Sequence, residues 1–287
     1  MRDCREIDTV FALESGGLAD LLSGTAPERS SLLTWLRECK RVQCWMADRN
    51  GELALALAKQ GVREMVISSA TAGVSDGRHQ SDRCLATTGC GKGVSGAERP
   101  LCITECMRAN AQRALEQAGV PHDRPYAVVH PGSGSLHKCC PPSVLAGVLD
   151  WLMTKGFIPM VVEGPADEQQ INALRAQWPQ RLHLLRNCEL STLAGIMTSA
   201  LLYVGHDSGI THLAAALAVP TIACFGPTDE ARWGPRGRSV TIVRRGPCHC
   251  GTWEAVQQCR DKPCLMNSSG LLVRACEVML ERPNRKP

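Results

Sequence analysis

The chain has 287 residues, enough for one large domain or two of ordinary size. Its 32 Lys and Arg against 28 Asp and Glu leave a net charge of only +4, too balanced to argue for a nucleic-acid partner. No apolar run approaches the ~18 residues of a spanning helix. The opening "MRDCREIDTV" carries acids and no apolar core segment, so it does not read as a signal peptide and the expected compartment is the cytoplasm. Sixteen cysteines in such a chain read as reduced thiols rather than a disulfide frame.

In the first 120 residues, "IDTVFAL", "RVQCWMA" and "EMVISSA" read as strands. "APERSSLLTWLREC", "GELALALAKQG" and "ITECMRANAQRALEQAG" read as helices. The Gly/Ser/Asp-rich stretch from Ala70 to Pro100 reads as a long loop. "GVPHDRP" collects turn formers and suggests a domain boundary near residue 122. From Tyr126 the pattern becomes regular. "YAVVHPG", "FIPMVVEGP", "LHLLRN", "LLYVGHD", "TIACFGP" and "SVTIVRR" read as strands. "PPSVLAGVLDWLMTKG", "ADEQQINALRAQW", "STLAGIMTSA" and "ITHLAAALA" read as helices. Apolar strands alternating with helices predict an α/β fold with a parallel sheet covered on both faces.

Ligands of open α/β sheets bind at the carboxyl ends of the strands. Three such ends here share one chemistry. "HPGSGSLHK" supplies Gly132, Ser133, Gly134, Ser135 and Lys138. "EGPADE" supplies Glu163, Gly164 and Glu168. "HDSGITH" supplies Asp207, Ser208, Gly209 and His212. Glycines let backbone N–H groups approach an anion, a helix start adds its dipole, and Lys138 adds a full charge. Gly and Ser also make the ordinary tight turns of this fold. Three such loops, with "FGPTD" at a fourth strand end, point instead to a phosphate-bearing ligand. His212, one turn after Asp207, reads either as a core histidine or as part of that site.

Other motifs carry less. "GKGVSG" matches G-x-G-x-x-G, but no strand precedes it and Pro100 follows where a helix should run, so it is not a dinucleotide fingerprint. Cys248, Cys250, Cys259 and Cys264 form C-x-C-x8-C-x4-C, which lacks the paired short knuckles of common zinc sites and leaves metal binding open. Cys84, Cys90, Cys102 and Cys106 form a second, looser group. Asn267-Ser268-Ser269 fits a glycosylation sequon.

Taken together, "VGHDSGITHLAAALAVPTIACFGPTDEARWGP" and "VVHPGSGSLHKCCPPSVLAGVLDWLMTKGFIPMVVEGPADE" resemble the family-9 glycosyltransferases, the lipopolysaccharide heptosyltransferase group, over about Tyr126 to Arg282. The late cysteine stretch before the last helix is also similar to that family. The resemblance implies a GT-B fold of two Rossmann-like domains, here residues 1–122 on the acceptor side and 123–287 on the donor side. It implies a nucleotide-sugar donor of the ADP-heptose type and inverting transfer without metal or cofactor. The acceptor would be a lipopolysaccharide core sugar or related glycan, which implies peripheral association with the inner membrane. Under it, Lys138 contacts the donor phosphates. Asp207, Ser208, Gly209 and His212 line the diphosphate and sugar, Glu163 or Glu168 lies near the nucleoside, and Gly132, Ser133 and Gly134 belong to the same donor-binding site. The family's first domain opens with a strand and a Gly-Asp loop that bears the general base. Here the nearest approach is Ala19-Asp20, so the first domain is expected to lack its opening unit, and the catalytic residue stays open. Two further readings stand: a non-catalytic or truncated nucleotide-sugar-binding paralogue, and a sugar-nucleotide epimerase.

Overall fold

The computed structural model describes residues 9–10, 17–23, 31–69, 77–89, 101–121, 123–266 and 269–281. The chain divides into two compact units, Met1–Ala97 and Glu98–Pro287. No helix among the described residues is long and apolar enough to cross a membrane.

The first unit contains α1 (Leu18–Ser23), α2 (Ser31–Glu38), β1 (Arg41–Cys44), α3 (Glu52–Lys59), β2 (Glu64–Ile67) and α4 (Gln80–Thr87). β1 and β2 pair in parallel, Arg41 opposite Glu64 and Cys44 opposite Ile67. A parallel pair needs a crossover, and α3 supplies it. "ELALALAK" sets Leu53, Ala56 and Leu57 on one helical face, buried with Leu21, Leu33, Leu36 and Val62. The Asp48 carboxylate caps that helix, accepting the N–H groups of Leu53 and Ala54 at 3.0 Å each.

The stretch expected to be one long loop contains α4. This helix, "QSDRCLAT", is polar overall and has no fully buried side chain, so it offers the sequence no apolar face comparable to that of α3. Hydrogen bonds, one local and two to the β1 segment, hold it instead. His79 Nδ1 accepts the Ser81 N–H at 3.2 Å, and Gln43 Nε2 and Trp45 Nε1 both donate to Thr87 Oγ1 at 3.0 Å. The "GKGVSG" motif, Cys90, and the strand expected over "IDTVFAL" apart from Thr9 and Val10 lie outside the described residues.

The second unit contains α5 (Glu105–Gln117), β3 (Tyr126–Val129), α6 (Pro142–Thr154), β4 (Ile158–Glu163), α7 (Glu168–Gln177), β5 (His183–Arg186) and α8 (Leu190–Ser199). It continues with β6 (Leu202–His206), α9 (Gly209–Ala216), β7 (Thr221–Cys224), α10 (Glu230–Trp233), β8 (Val240–Val243), α11 (Trp253–Gln258) and α12 (Ser269–Glu281). All six strands run parallel in the order β5-β4-β3-β6-β7-β8. Counted from β3 this is the doubly wound order 3-2-1-4-5-6. Alternate residues feed two cores, as the period of a strand requires. Ala127, Val129, Leu202, Val204 and Ile222 pack with Leu145 and Leu149 of α6 and Leu272 and Met279 of α12. Val128, Met160 and Tyr203 pack with Met107 and Ala111 of α5 and Leu193 and Ile196 of α8.

Helix α5, expected in the first domain, therefore belongs to the second unit. It meets α8 backbone to side: a Cβ on Gly195 would fall 2.5 Å from the Met107 carbonyl oxygen. Ile103, just before α5, lies in the same core, and the two compact units divide at Ala97/Glu98.

Candidate functional site

The order 3-2-1-4-5-6 reverses direction between β3 and β6, and it is outside the carboxyl ends of the strands at such a reversal that open α/β sheets hold their ligands, the β3–β6 crevice of this fold. Two loops meet there: residues 130–141 after β3 and Asp207-Ser208 after β6. Ser133 Oγ donates to the Asp207 carbonyl oxygen at 2.6 Å and stitches the loops together. Lys138, at the end of a 3-10 turn (Leu136–Lys138), places Nζ 2.8 Å from Asp207 Oδ2. The lysine side chain keeps 24 % of its surface exposed, so its remaining N–H donors reach solvent.

Ser208 caps α9, its Oγ accepting the Thr211 N–H at 3.4 Å. Behind it lies a buried polar chain. Tyr203 Oη is 3.0 Å from Thr211 Oγ1, and Thr211 Oγ1 donates to the His206 carbonyl. His130 Nε2 is 3.1 Å from Asp167 Oδ2, and its Nδ1 is 3.4 Å from Ser208 Oγ. A carboxylate only accepts, so a proton on Nε2 points at Asp167, and Nδ1 faces the Ser208 hydroxyl. Asp167 Oδ2 also accepts the Gly164 N–H at 2.8 Å. Burial alone would raise the Asp167 carboxyl, but the hydrogen bonds from His130 and Gly164 outweigh it and hold it below the usual carboxylate value. Gly132 is where it is because of this pair: a Cβ there would lie 1.8 Å from Asp167 Oδ1. Burial pushes the His206 imidazole down to about 4, with nearby His130 adding to the effect.

Of the residues singled out in the sequence, Ser133, Lys138, Asp207 and Ser208 converge. Gly132 is packed against Asp167, whereas a Cβ on Gly134 or Gly209 would meet nothing within 4 Å. His212 lies in the first turn of α9, half-buried, its N–H donating to the Ser208 carbonyl at 3.3 Å. Glu163, at the end of β4, is bound to Arg186 Nε at 3.0 Å. Glu168 is exposed, and the buried carboxylate is its neighbour Asp167. His130, Asp167, Tyr203 and Thr211 were not singled out. The available signal was a histidine closing the apolar "YAVV" run and an aspartate beside the glutamate in "PADE". Asp20 sits on α1, exposed, not in a turn after a strand.

The late cysteines influence one another: the Cys250 thiol is pushed up to about 11, by Cys248 first and then by burial and Cys259. Cys84 falls in the first unit, Cys102 and Cys106 in the second. Asn267 and Ser268 of the sequon lie outside the described residues. A cavity of about 290 Å³ between α5 and α8, lined by Arg108, Tyr126 and Ser199 among others, shares no residue with the crevice.

With this geometry in hand, comparison with known proteins is specific. Residues 96–265 match the family model of glycosyltransferase family 9 (heptosyltransferase). Lipopolysaccharide heptosyltransferase 3 of Escherichia coli is 30 % identical over 128 residues, 43 % of this chain and 37 % of that protein. Lipopolysaccharide heptosyltransferase 1 of Pseudomonas aeruginosa is 30 % identical over 125 residues, 43 % of this chain and 35 % of that protein. The alignments thus span little more than a third of these relatives' length. Among solved structures, the glycosyl transferase family 9 protein of Veillonella parvula matches with a TM-score of 0.71 at 18 % identity, covering 86 % of this chain and 78 % of that one. The E. coli ADP-heptose lps heptosyltransferase II matches with a TM-score of 0.65 at 18 % identity, covering 88 % and 80 %. These two share the GT-B architecture of parallel α/β units. With more than half of its residues inside the family model, and the fold of that family's solved members, the chain belongs to glycosyltransferase family 9, the heptosyltransferases.

Proposed function

We propose that the second unit binds a nucleoside-diphosphate sugar of the ADP-heptose type at the β3–β6 crevice. We further propose that the protein transfers the sugar, with inversion, to a lipopolysaccharide core or related glycan. The observation that carries this reading is the meeting of Ser133, Lys138, Asp207 and Ser208 at the reversal point of the sheet. In a single displacement the acceptor hydroxyl attacks the anomeric carbon as the diphosphate departs from the opposite face. Negative charge grows on the departing oxygens. The first N–H groups of α9, at Gly209 and Ile210, have no intrahelical carbonyl to bind and carry the positive end of the helix dipole. Lys138 adds a charge-assisted donor. Asp207 holds that ammonium in place before donor arrives, so no side chain must be reordered as charge develops. The buried His130–Asp167 pair sets the Ser208 hydroxyl, and through it the start of α9. Glu163 and His212 flank the same crevice and fit the nucleoside and sugar ends of the donor. An acceptor of this kind places the reaction at the cytoplasmic side of a membrane, with the protein bound peripherally.

One observation favours a second reading, a protein that binds donor without transferring it. Inverting transfer needs a base within hydrogen-bond reach of the acceptor hydroxyl, and Asp20 lies exposed within α1 rather than in a strand-end loop. Titration calorimetry with ADP, without added magnesium, tests the shared part of both readings. No heat of binding, or binding that appears only with magnesium, would overturn them. Release of ADP from ADP-heptose in the presence of a deacylated lipopolysaccharide core then separates transfer from binding alone.

A further inference from the structure

Cys140, His206 and Cys224 come from three separate places in the chain and meet in the core of the second unit. Cys140 lies just before α6, and His206 and Cys224 are the last residues of β6 and β7. In the parallel ladder His206 stands directly opposite Cys224, so their side chains leave the same face of the sheet. The loop after β3 lays Cys140 over them. Exposure is 5 %, 0 % and 1 % respectively. All three potential ligand atoms lie within 4.8 Å of one another, and His206 Nε2 is 3.1 Å from Cys140 Sγ. Among the described residues this is the one group of three or more such side chains that meets that limit, and the late cysteines do not.

We propose that Cys140, His206 and Cys224 supply three of the four ligands of a buried site for one thiophilic d10 ion, Zn2+, with a water in the fourth position. The chemistry of the ligand set suits it. Zinc takes thiolate at about 2.3 Å and imidazole at about 2.0–2.1 Å, which separates ligand atoms by roughly 3.5–3.8 Å in a tetrahedral site. The 3.1 Å between His206 Nε2 and Cys140 Sγ must open by about half an ångström to reach that, and no ligand atom starts more than 4.8 Å from another. Binding releases the two thiol protons, and two thiolates with Zn2+ and a neutral imidazole make an electrically neutral group, the kind a fully buried position tolerates. The Cys140 N–H, which donates to His206 Nε2 at 3.1 Å, would then face a thiolate sulfur, itself an acceptor. His206 Nδ1, the other ring nitrogen, is buried as well. An ion here ties the loop bearing Ser133 and Lys138 to the ends of β6 and β7. It would be a staple under the crevice, whatever that crevice binds.

The test is metal content of the full-length chain, purified without a histidine tag and without added metal. About one zinc per chain is expected, falling by about tenfold or more in Cys140→Val, Cys224→Val and His206→Gln. Both valine variants keep an apolar side chain in an apolar setting. The second measurement needs no substitution: wild-type protein refolded with Co2+ should show an intense near-ultraviolet thiolate-to-cobalt band and visible tetrahedral d–d bands. Protein that takes up neither zinc nor cobalt overturns the proposal. So does a cobalt spectrum without a thiolate band. Zinc retained in both valine variants but lost in Cys250→Ser also overturns it, since the ion would then sit on the late cysteines.

Discussion

Replacing Gly132 with alanine should destabilise the second unit through one contact. The backbone there is not left-handed, so an alanine suffers no conformational penalty of its own. Its Cβ, however, would stand 1.8 Å from Asp167 Oδ1 and 2.5 Å from Cγ, far inside contact distance. The carboxylate must swing away. In doing so it gives up the 3.1 Å bond from His130 and the 2.8 Å bond from the Gly164 N–H. Hydrogen bonds to a charged group contribute about 1.5–3 kcal/mol each, so losing both costs roughly 3–6 kcal/mol, less whatever the loop recovers by relaxing. For a unit of this size each kcal/mol shifts the midpoint by about 2–4 °C, so thermal unfolding followed by circular dichroism should fall by about 10 °C. Gly134→Ala is the internal control, because its Cβ would meet nothing within 4 Å. Gly132→Ala unfolding within about 2 °C of wild type would refute the reasoning, as would an equal loss in both variants.

Lys138→Ala should weaken ADP binding in calorimetry by about 1–3 kcal/mol, and an unchanged affinity in a folded variant would reduce Lys138 to a partner of Asp207. Asp167 has a folded pKa below its unfolded value, so its contribution is complete above the ordinary carboxylate value near ~3.9 and is lost as pH falls through the folded value. Denaturant midpoints of wild type and Asp167→Asn should therefore differ at neutral pH and converge below about pH 4, whereas a constant gap would assign the stability to packing. Ser208→Ala removes the α9 cap and the acceptor-side link to His130, and should cost about 1–2 kcal/mol in urea unfolding with the slope unchanged.

What the sequence determined by itself was local. The runs "YAVV", "IPMVVE", "LYVGH" and "TIAC" announce β3, β4, β6 and β7 because a strand covered on both faces must be apolar throughout, and neighbouring residues alone display that. The Gly-rich and Asp-Ser-Gly turns are equally local, and so Ser133, Lys138, Asp207 and Ser208 can be named as candidates from short windows alone. Helix α4 cannot, since it is held by hydrogen bonds to Thr87 and has no fully buried side chain. That α5 groups with the second compact unit could not be read locally either, because its partner α8 lies far along the chain. Only the tertiary structure decided which strand ends stand side by side. The order β5-β4-β3-β6-β7-β8 follows from how helices cover the two faces, a balance of burial over the whole unit that no short window contains. That order carries His130 to Asp167 and Ser208, and Cys140 to His206 and Cys224. Each residue is unremarkable in its own segment, and each acquires its chemistry from neighbours that the sheet, not the sequence, puts beside it.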